Sequence, residues 1–269
     1  MQQSPPPPRG ARFIVSCLAI GLGAGLLSGL FGVGGGTVIV PMLVLLLHLD
    51  QRRAAGISLA AIVPTATVGV VSYALHGSVA WIPALILAAG AVVGAQIGTW
   101  LLARIPQNAL RWGFVGFLVV VIVMLFVVPP VRDADLPVTL WTASGLVVLG
   151  LFTGTMAGLL GVGGGVIVVP ALMFLFGASD LIARGTSLLM MIPTALSGTI
   201  GNFRRHNVDL VAAALIGVAA CTTTALGAWI ATLVSPLVGN ILFAAFLTFI
   251  AVQMALRALR AGRAGREAR

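Results

Sequence analysis

Gly29-Leu-Phe-Gly-Val-Gly-Gly-Gly-Thr-Val-Ile-Val-Pro41 occurs twice in this chain, and its second copy reads Gly158-Leu-Leu-Gly-Val-Gly-Gly-Gly-Val-Ile-Val-Val-Pro170. Each is a small glycine knot inside sequence that otherwise reads as continuous apolar helix. A glycine in a helix interior costs about 1 kcal/mol relative to alanine. Gly34, Gly35 and Gly36 therefore break the helix in the first copy, and Gly163, Gly164 and Gly165 break it in the second. In hydrocarbon, irregular backbone survives only where protein buries it or a water-filled cavity takes it up. Matching breaks in two halves of a chain point to the binding site of a secondary transporter.

Composition supports a membrane setting. Of 269 residues, 59% are hydrophobic and only 8% charged, against about 25% charged in a soluble domain; mean hydropathy is +1.14. The apolar runs are long and unbroken, unlike the alternating ten-residue strands of a barrel. An all-α integral membrane protein follows. The net charge of +9 does not imply nucleic acid, because the basic residues lie in short loops and in the tail after Arg257. That placement fits orientation by the positive-inside effect and contact with anionic lipid. Cys17 and Cys221 fall within apolar helices without metal or redox spacing. No metal site and no cofactor are expected.

Working outward from the knots, residues 1–12 form a Pro-rich, basic arm expected to be disordered and cytoplasmic. Phe13–Phe31 and Thr37–Leu47 form a hairpin whose second arm is too short to span alone, since a span needs about 20 residues. Ala54–Leu75, Val79–Ala103 and Leu110–Val128 complete a first repeat over 13–128. A polar connector, 129–139, leads to a second repeat over 140–256. Its segments are Leu140–Leu160, Val166–Phe176, Ile182–Phe203, Leu210–Val234 and Leu237–Leu256. A basic cytoplasmic tail, 257–269, closes the chain.

Sliding the chain against itself by 129 residues aligns Pro41 with Pro170, Gly56 with Gly185, Ser58 with Ser187, Pro64-Thr65-Ala66 with Pro193-Thr194-Ala195, and Trp100 with Trp229. Between Ser28 and Trp100 there are 24 identities in 73 positions without a gap. Loop charge orients the copies. Arg12, Arg52/Arg53, Arg104/Arg111, Arg204/Arg205 and the final arginines take the cytoplasmic side. His76–Ser78, the connector, the loop holding Asp180 and Ser235–Asn240 take the other. Equivalent loops then fall on opposite faces. The expected fold is two inverted repeats of four to five helical segments each, with the glycine-broken hairpins meeting near the midplane.

The doubled Gly-Leu-[Phe/Leu]-Gly-Val-Gly-Gly-Gly knot, the prolines Pro41 and Pro170, and the Gly-x-Ser at Gly56 and Gly185 resemble the sulfite exporter TauE/SafE family over residues 13–256. The resemblance implies transport of sulfur-containing anions (sulfite, sulfonates, sulfoacetate or related organosulfur compounds) across the plasma membrane. It covers both uptake and export, and marks the family rather than one ligand.

The residues offer their own reason for an anion. A glycine break leaves backbone N–H groups unpaired at the start of the next helix, whose positive end faces the knot and can hold an oxyanion. Gly34–Gly36 and Gly163–Gly165 would then flank one substrate-binding site, unless the glycines serve only close helix packing. Thr65 and Thr194, each after a mid-helix proline, either face substrate or bond their own backbone. Ser58 and Ser187 lie on roughly the same faces. Gln96, deep in an apolar helix, needs a partner, and Asn202 and Tyr73 occupy corresponding helix ends. Arg204 sits with Arg205 and His206 where it could gather anions or merely set topology. No Asp, Glu, Lys or Arg lies near the middle of an expected span, which argues against a carboxylate proton relay. No nucleophile–base pair appears at membrane depth, so no catalytic residues and no enzyme are expected. The expected partners are a small anion and membrane lipid, not nucleic acid. A channel-like anion pore or an uptake permease for an organic anion are the competing readings.

Overall fold

The structure, a computed structural model, describes residues 10–102, 139–267 and isolated positions between 112 and 123. The arm before Gly10 and nearly all of the connector lie outside the described residues, as does much of the expected helix 110–128. Nine helices run through the described part: α1 (Ala11–Phe31), α2 (Gly36–Leu46), α3 (Gln51–Ala74), α4 (Trp81–Leu101), α5 (Leu140–Leu160), α6 (Gly165–Phe176), α7 (Asp180–Phe203), α8 (Leu210–Leu233) and α9 (Pro236–Glu267). Seven of them are long and apolar enough to cross a membrane, α2 and α6 being the short ones. The final helix does not stop at Leu256 but carries its arginines on as helix to Glu267.

Local chemistry sets the boundaries. Asp50 caps α3 by accepting from the amides of Arg52 and Arg53 at 2.9 and 3.0 Å, and Asp209 caps α8 through Val211 and Ala212. Ser179 accepts from Ile182 N–H, so α7 begins at Asp180, two residues before the expected start. Such caps satisfy amides that the first turn leaves unpaired. At the other end, α1 and α5 stop at Gly32 and Gly161, both left-handed with φ of 69° and 72°. That conformation is open to glycine and closes a helix C-terminus.

Reciprocal packing joins the two halves. On α1, Gly21, Gly25 and Gly29 face the backbone of α8 at Ile216, Ala220 and Thr224; on α5, Gly150, Gly154 and Gly158 face α4 at Leu87, Ala91 and Ala95. A side chain at any of the six would collide with an opposing carbonyl, so these stripes are the close-approach surfaces of small-residue helix pairing. The contacts advance together along both helices, which makes each pair parallel. By contrast Gly69 of α3 meets Leu188 of α7, and Gly198 of α7 meets Leu59 of α3. These two helices, which hold the same place in the two copies, therefore run antiparallel. The copies are inverted with respect to each other, each lending a helix to the other.

Candidate functional site

The knots lie where α3 and α7 cross. A Cβ on Gly34 would meet Met191 Sδ and Ile62, and one on Gly163 would meet Ile62 and Met191. Ile62 and Met191 are themselves equivalents under the 129-residue shift. The knots also touch each other: a Cβ on Gly36 would stand 2.8 Å from Gly161 O, and one on Gly165 would stand 2.7 Å from Gly32 O. Gly35 and Gly164, with φ of 74° and 85°, are the N-caps of α2 and α6, and neither helix start has a side-chain cap. Two helix N-termini with uncapped amides thus converge on one buried place, as the duplicated motif predicts.

Among the described residues, the voids found beside the knots are not ligand-sized. The voids beside them are about 20 Å³, next to Thr37 and Val162, and about 10 Å³, next to Gly164 and Val166. Each holds a water molecule at most. The large cavity lies elsewhere, at the end of the bundle where α1, α3 and α8 begin and α7 ends. It measures about 340 Å³ and is lined by Phe13, Arg53, Ile57, His206, Asn207 and Asp209 among others.

The polar residues singled out from sequence, and Thr37 beside them, meet different fates. Thr65 and Thr194 bond the carbonyls of Ala61 and Met190 in their own helices at 2.8 Å. Gln96 lies on the outer face of α4 and donates to the backbone and hydroxyl of Ser197 on α7, both at 2.8 Å. Ser58 donates to Gly161 O at 2.8 Å, so it serves the opposite knot. Its equivalent Ser187 is fully buried, lies near the start of α6, and has no hydrogen-bond partner. Thr37, at the start of α2, is likewise buried with an unpartnered hydroxyl. Asn202 donates to Gly198 O while its Oδ1 stays unpartnered; its equivalent Tyr73 donates to Gly29 O at 2.7 Å. Arg204 is exposed as the C-cap of α7, and Arg205 beside it donates to Thr99 O on α4.

A buried ion pair was not foreseen from the sequence. Asp180 is not a solvated loop residue: it opens α7, is 1% exposed, and pairs at 3.4 Å with Arg184, itself 3% exposed. Arg184 also donates to Leu30 O at 2.9 Å, at the end of α1. The usable signal was an Asp and an Arg four apart at the head of an otherwise apolar helix, a spacing that places them on one face.

Broken, uncapped hairpins joined across two inverted copies, within a bundle of apolar spanning helices, define a multi-pass helical membrane transporter. The chain belongs to the sulfite exporter TauE/SafE family, whose family profile matches residues 2–125 and again 146–269. It is similar to the Bacillus subtilis "Probable membrane transporter protein YdhB", with 30% identity over 191 residues covering 70% of this chain and 78% of that protein. A second B. subtilis protein, YunE, is 28% identical over 226 residues, covering 75% and 83% of the two chains. A "Probable membrane transporter protein" of Haemophilus influenzae is 34% identical over 167 residues, 60% and 62% of the two. No solved structure matches the chain.

Proposed function

We propose that this protein is a secondary carrier of the plasma (inner) membrane that exports small sulfur-containing anions, sulfite or sulfonates, by alternating access. The observation that carries the reading is the meeting of two uncapped helix starts at the α3–α7 crossing, with the unpartnered hydroxyls of Ser187 and Thr37 buried beside them. Aligned amide dipoles and free hydroxyls attract an oxyanion without a full positive charge. The name of the family supplies the sulfur chemistry. In this reading Gly34–Gly36 and Gly163–Gly165 contact the anion after Ile62 and Met191 part.

Sidedness follows from charge. Arg12, Arg52, Arg53, Arg204 and Arg205 gather at the end that holds the large cavity, and the positive-inside bias assigns that end and both termini to the cytoplasm. The cavity then faces the cell interior, ready to load an anion for export. Moving one negative charge out against a negative interior releases about 2.3 kcal/mol per 100 mV, so outward movement needs no nucleotide.

Flux into proteoliposomes of sulfite, sulfate, taurine, sulfoacetate and thiosulfate, with and without an imposed potential, tests the reading. Saturable sulfite or sulfonate flux with counterflow is expected. Single-channel currents would make the protein a pore, and flux confined to an anion without sulfur would overturn the substrate class.

A further inference from the structure

We infer that Arg184 and Asp180 form the charge-exchange element of this carrier: an oxyanion leaving the knots takes over the guanidinium of Arg184 and displaces Asp180. The inference rests on the anion-carrier reading above and names a binding residue for it. Four observations lead there.

First, the inverted copies provide an internal control. Arg184 and Asp180 correspond to Ala55 and Gln51 in the first copy. The backbone of Arg184 packs on Gly32, as that of Ala55 packs on Gly161. The first copy thus makes the same helix-to-knot contact without any charge, so the contact itself does not call for an arginine. Second, among the described residues Arg184 is the only buried basic side chain and Asp180 the only buried acidic one. Replacing a buried ion pair by apolar groups is often neutral or stabilising, so stability is a poor reason for having one here.

Third, the Arg184–Asp180 contact is long. Its 3.4 Å separation exceeds the 2.7–2.9 Å of a strong charge-assisted bond, so the guanidinium and carboxylate do not form a tight bidentate fork. Fourth, it sits next to the knot. Arg184 donates to Leu30 O, two residues before Gly32, while Tyr73 holds the neighbouring carbonyl of Gly29. This is the end of the bundle opposite the large cavity, where Ala80 N–H donates to Thr186. An anion loaded from the cavity would meet Arg184 after the knots. A guanidinium is always charged and presents a planar fork of donors to sulfite or sulfonate oxygens. Its engagement would free Asp180 and with it the first turn of α7.

The test uses the full chain with sulfite as probe, in wild type, Arg184→Gln, Asp180→Asn and the double variant. Flux is measured in proteoliposomes, and the sulfite-dependent rise in melting temperature is measured in detergent. Arg184→Gln is expected to lower sulfite flux more than 100-fold. Asp180→Asn, freed of the internal competitor, should lower the half-saturating sulfite concentration about tenfold. The double variant, which leaves no lone buried charge, should melt within a few degrees of wild type yet carry no flux; it decides the matter if a single variant misfolds. A double variant that transports like wild type would overturn the inference and leave the carrier reading intact, and an unchanged half-saturation in Asp180→Asn would do the same. Wild-type stabilisation by sulfite without flux would sink the carrier reading but not this site. Absence of both effects would sink the two together.

Discussion

The two ends of the bundle are built from equivalent segments and yet differ. At one end the turn between α7 and α8, His206 to Asp209, borders a cavity of about 340 Å³. At the other, the equivalent turn, Gly77 to Ala80, is covered: Ser78 is buried and Ala80 N–H donates to the Thr186 hydroxyl, where the cavity end has Ile57, although the carbonyls of Ser78 and Asn207 pack alike on Gly185 and Gly56. Equivalent turns of a duplicated scaffold thus meet different surroundings at the two ends of the described bundle. The side chains differ accordingly. Left-handed His206 (φ 57°) stands where the closed end has Gly77 (φ 65°), and left-handed His48 (φ 53°) where it has Gly177 (φ 67°).

The largest effect that can break this comparison lies at the knots. Gly32→Leu and Gly161→Leu force a side chain into a left-handed residue pressed on the backbone of α7 or α3. Each should cost more than about 4 kcal/mol and abolish the monodisperse peak in size exclusion. Gly35→Leu and Gly164→Leu also place a side chain at a left-handed residue, against Ala24 of α1 and Thr153 of α5 at 2.9 and 3.2 Å, and are expected to lose stability and flux by a smaller margin. A folded, active Gly32→Leu protein would show that the knots are not held as described.

Next in size is access. With Cys17 and Cys221 replaced by alanine, Asn207→Cys at the cavity should react with a water-soluble maleimide at least about tenfold faster than Ser78→Cys, its equivalent at the closed end, since buried thiols are inert. Equal rates would mean that both ends open alike. A smaller contrast separates the two serines. Ser58→Ala removes the bond to Gly161 O and should cost about 1 kcal/mol, lowering Tm by roughly 2–4 °C. Ser187→Ala removes no bond, so Tm should hold while sulfite flux falls. The smallest effect tests the turns: Gly77→Ala should destabilise by about 1 kcal/mol and His206→Gly stabilise by a similar amount, because only glycine holds the left-handed region without strain. Thermal melts of the two would read opposite signs.

Much of the fold was legible in the chain because the two codes that matter are local. Apolar length marks a span, and three consecutive glycines mark its interruption; α5 runs from Leu140 to Leu160 as read. The shift of 129 residues located the symmetry because Pro, Trp and Gly in one register are rare by chance. What stayed hidden depends on partners distant in sequence. Gly21, Gly25 and Gly29 read as ordinary apolar helix until α8 is placed against them. Ser58 and Ser187 look alike, yet one finds a carbonyl and the other does not. Arg184 and Asp180 announce charge but not burial, since whether a helix head meets water or protein is decided by what folds over it. That the knots lie packed against Ile62 and Met191, rather than around a ready cavity, has no local signature.

The interlocked glycine stripes have a consequence for synthesis. Leu22 of α1 accepts its bond from Thr223, 201 residues later, so the ribosome delivers α1 long before its mate exists. At about 5–20 residues per second that helix waits some 10–40 s in the bilayer with a bare glycine groove. Neither half severed at the connector can shield its own groove. Co-expressed halves should therefore rescue each other, while each alone should be taken up by the cell's membrane proteases.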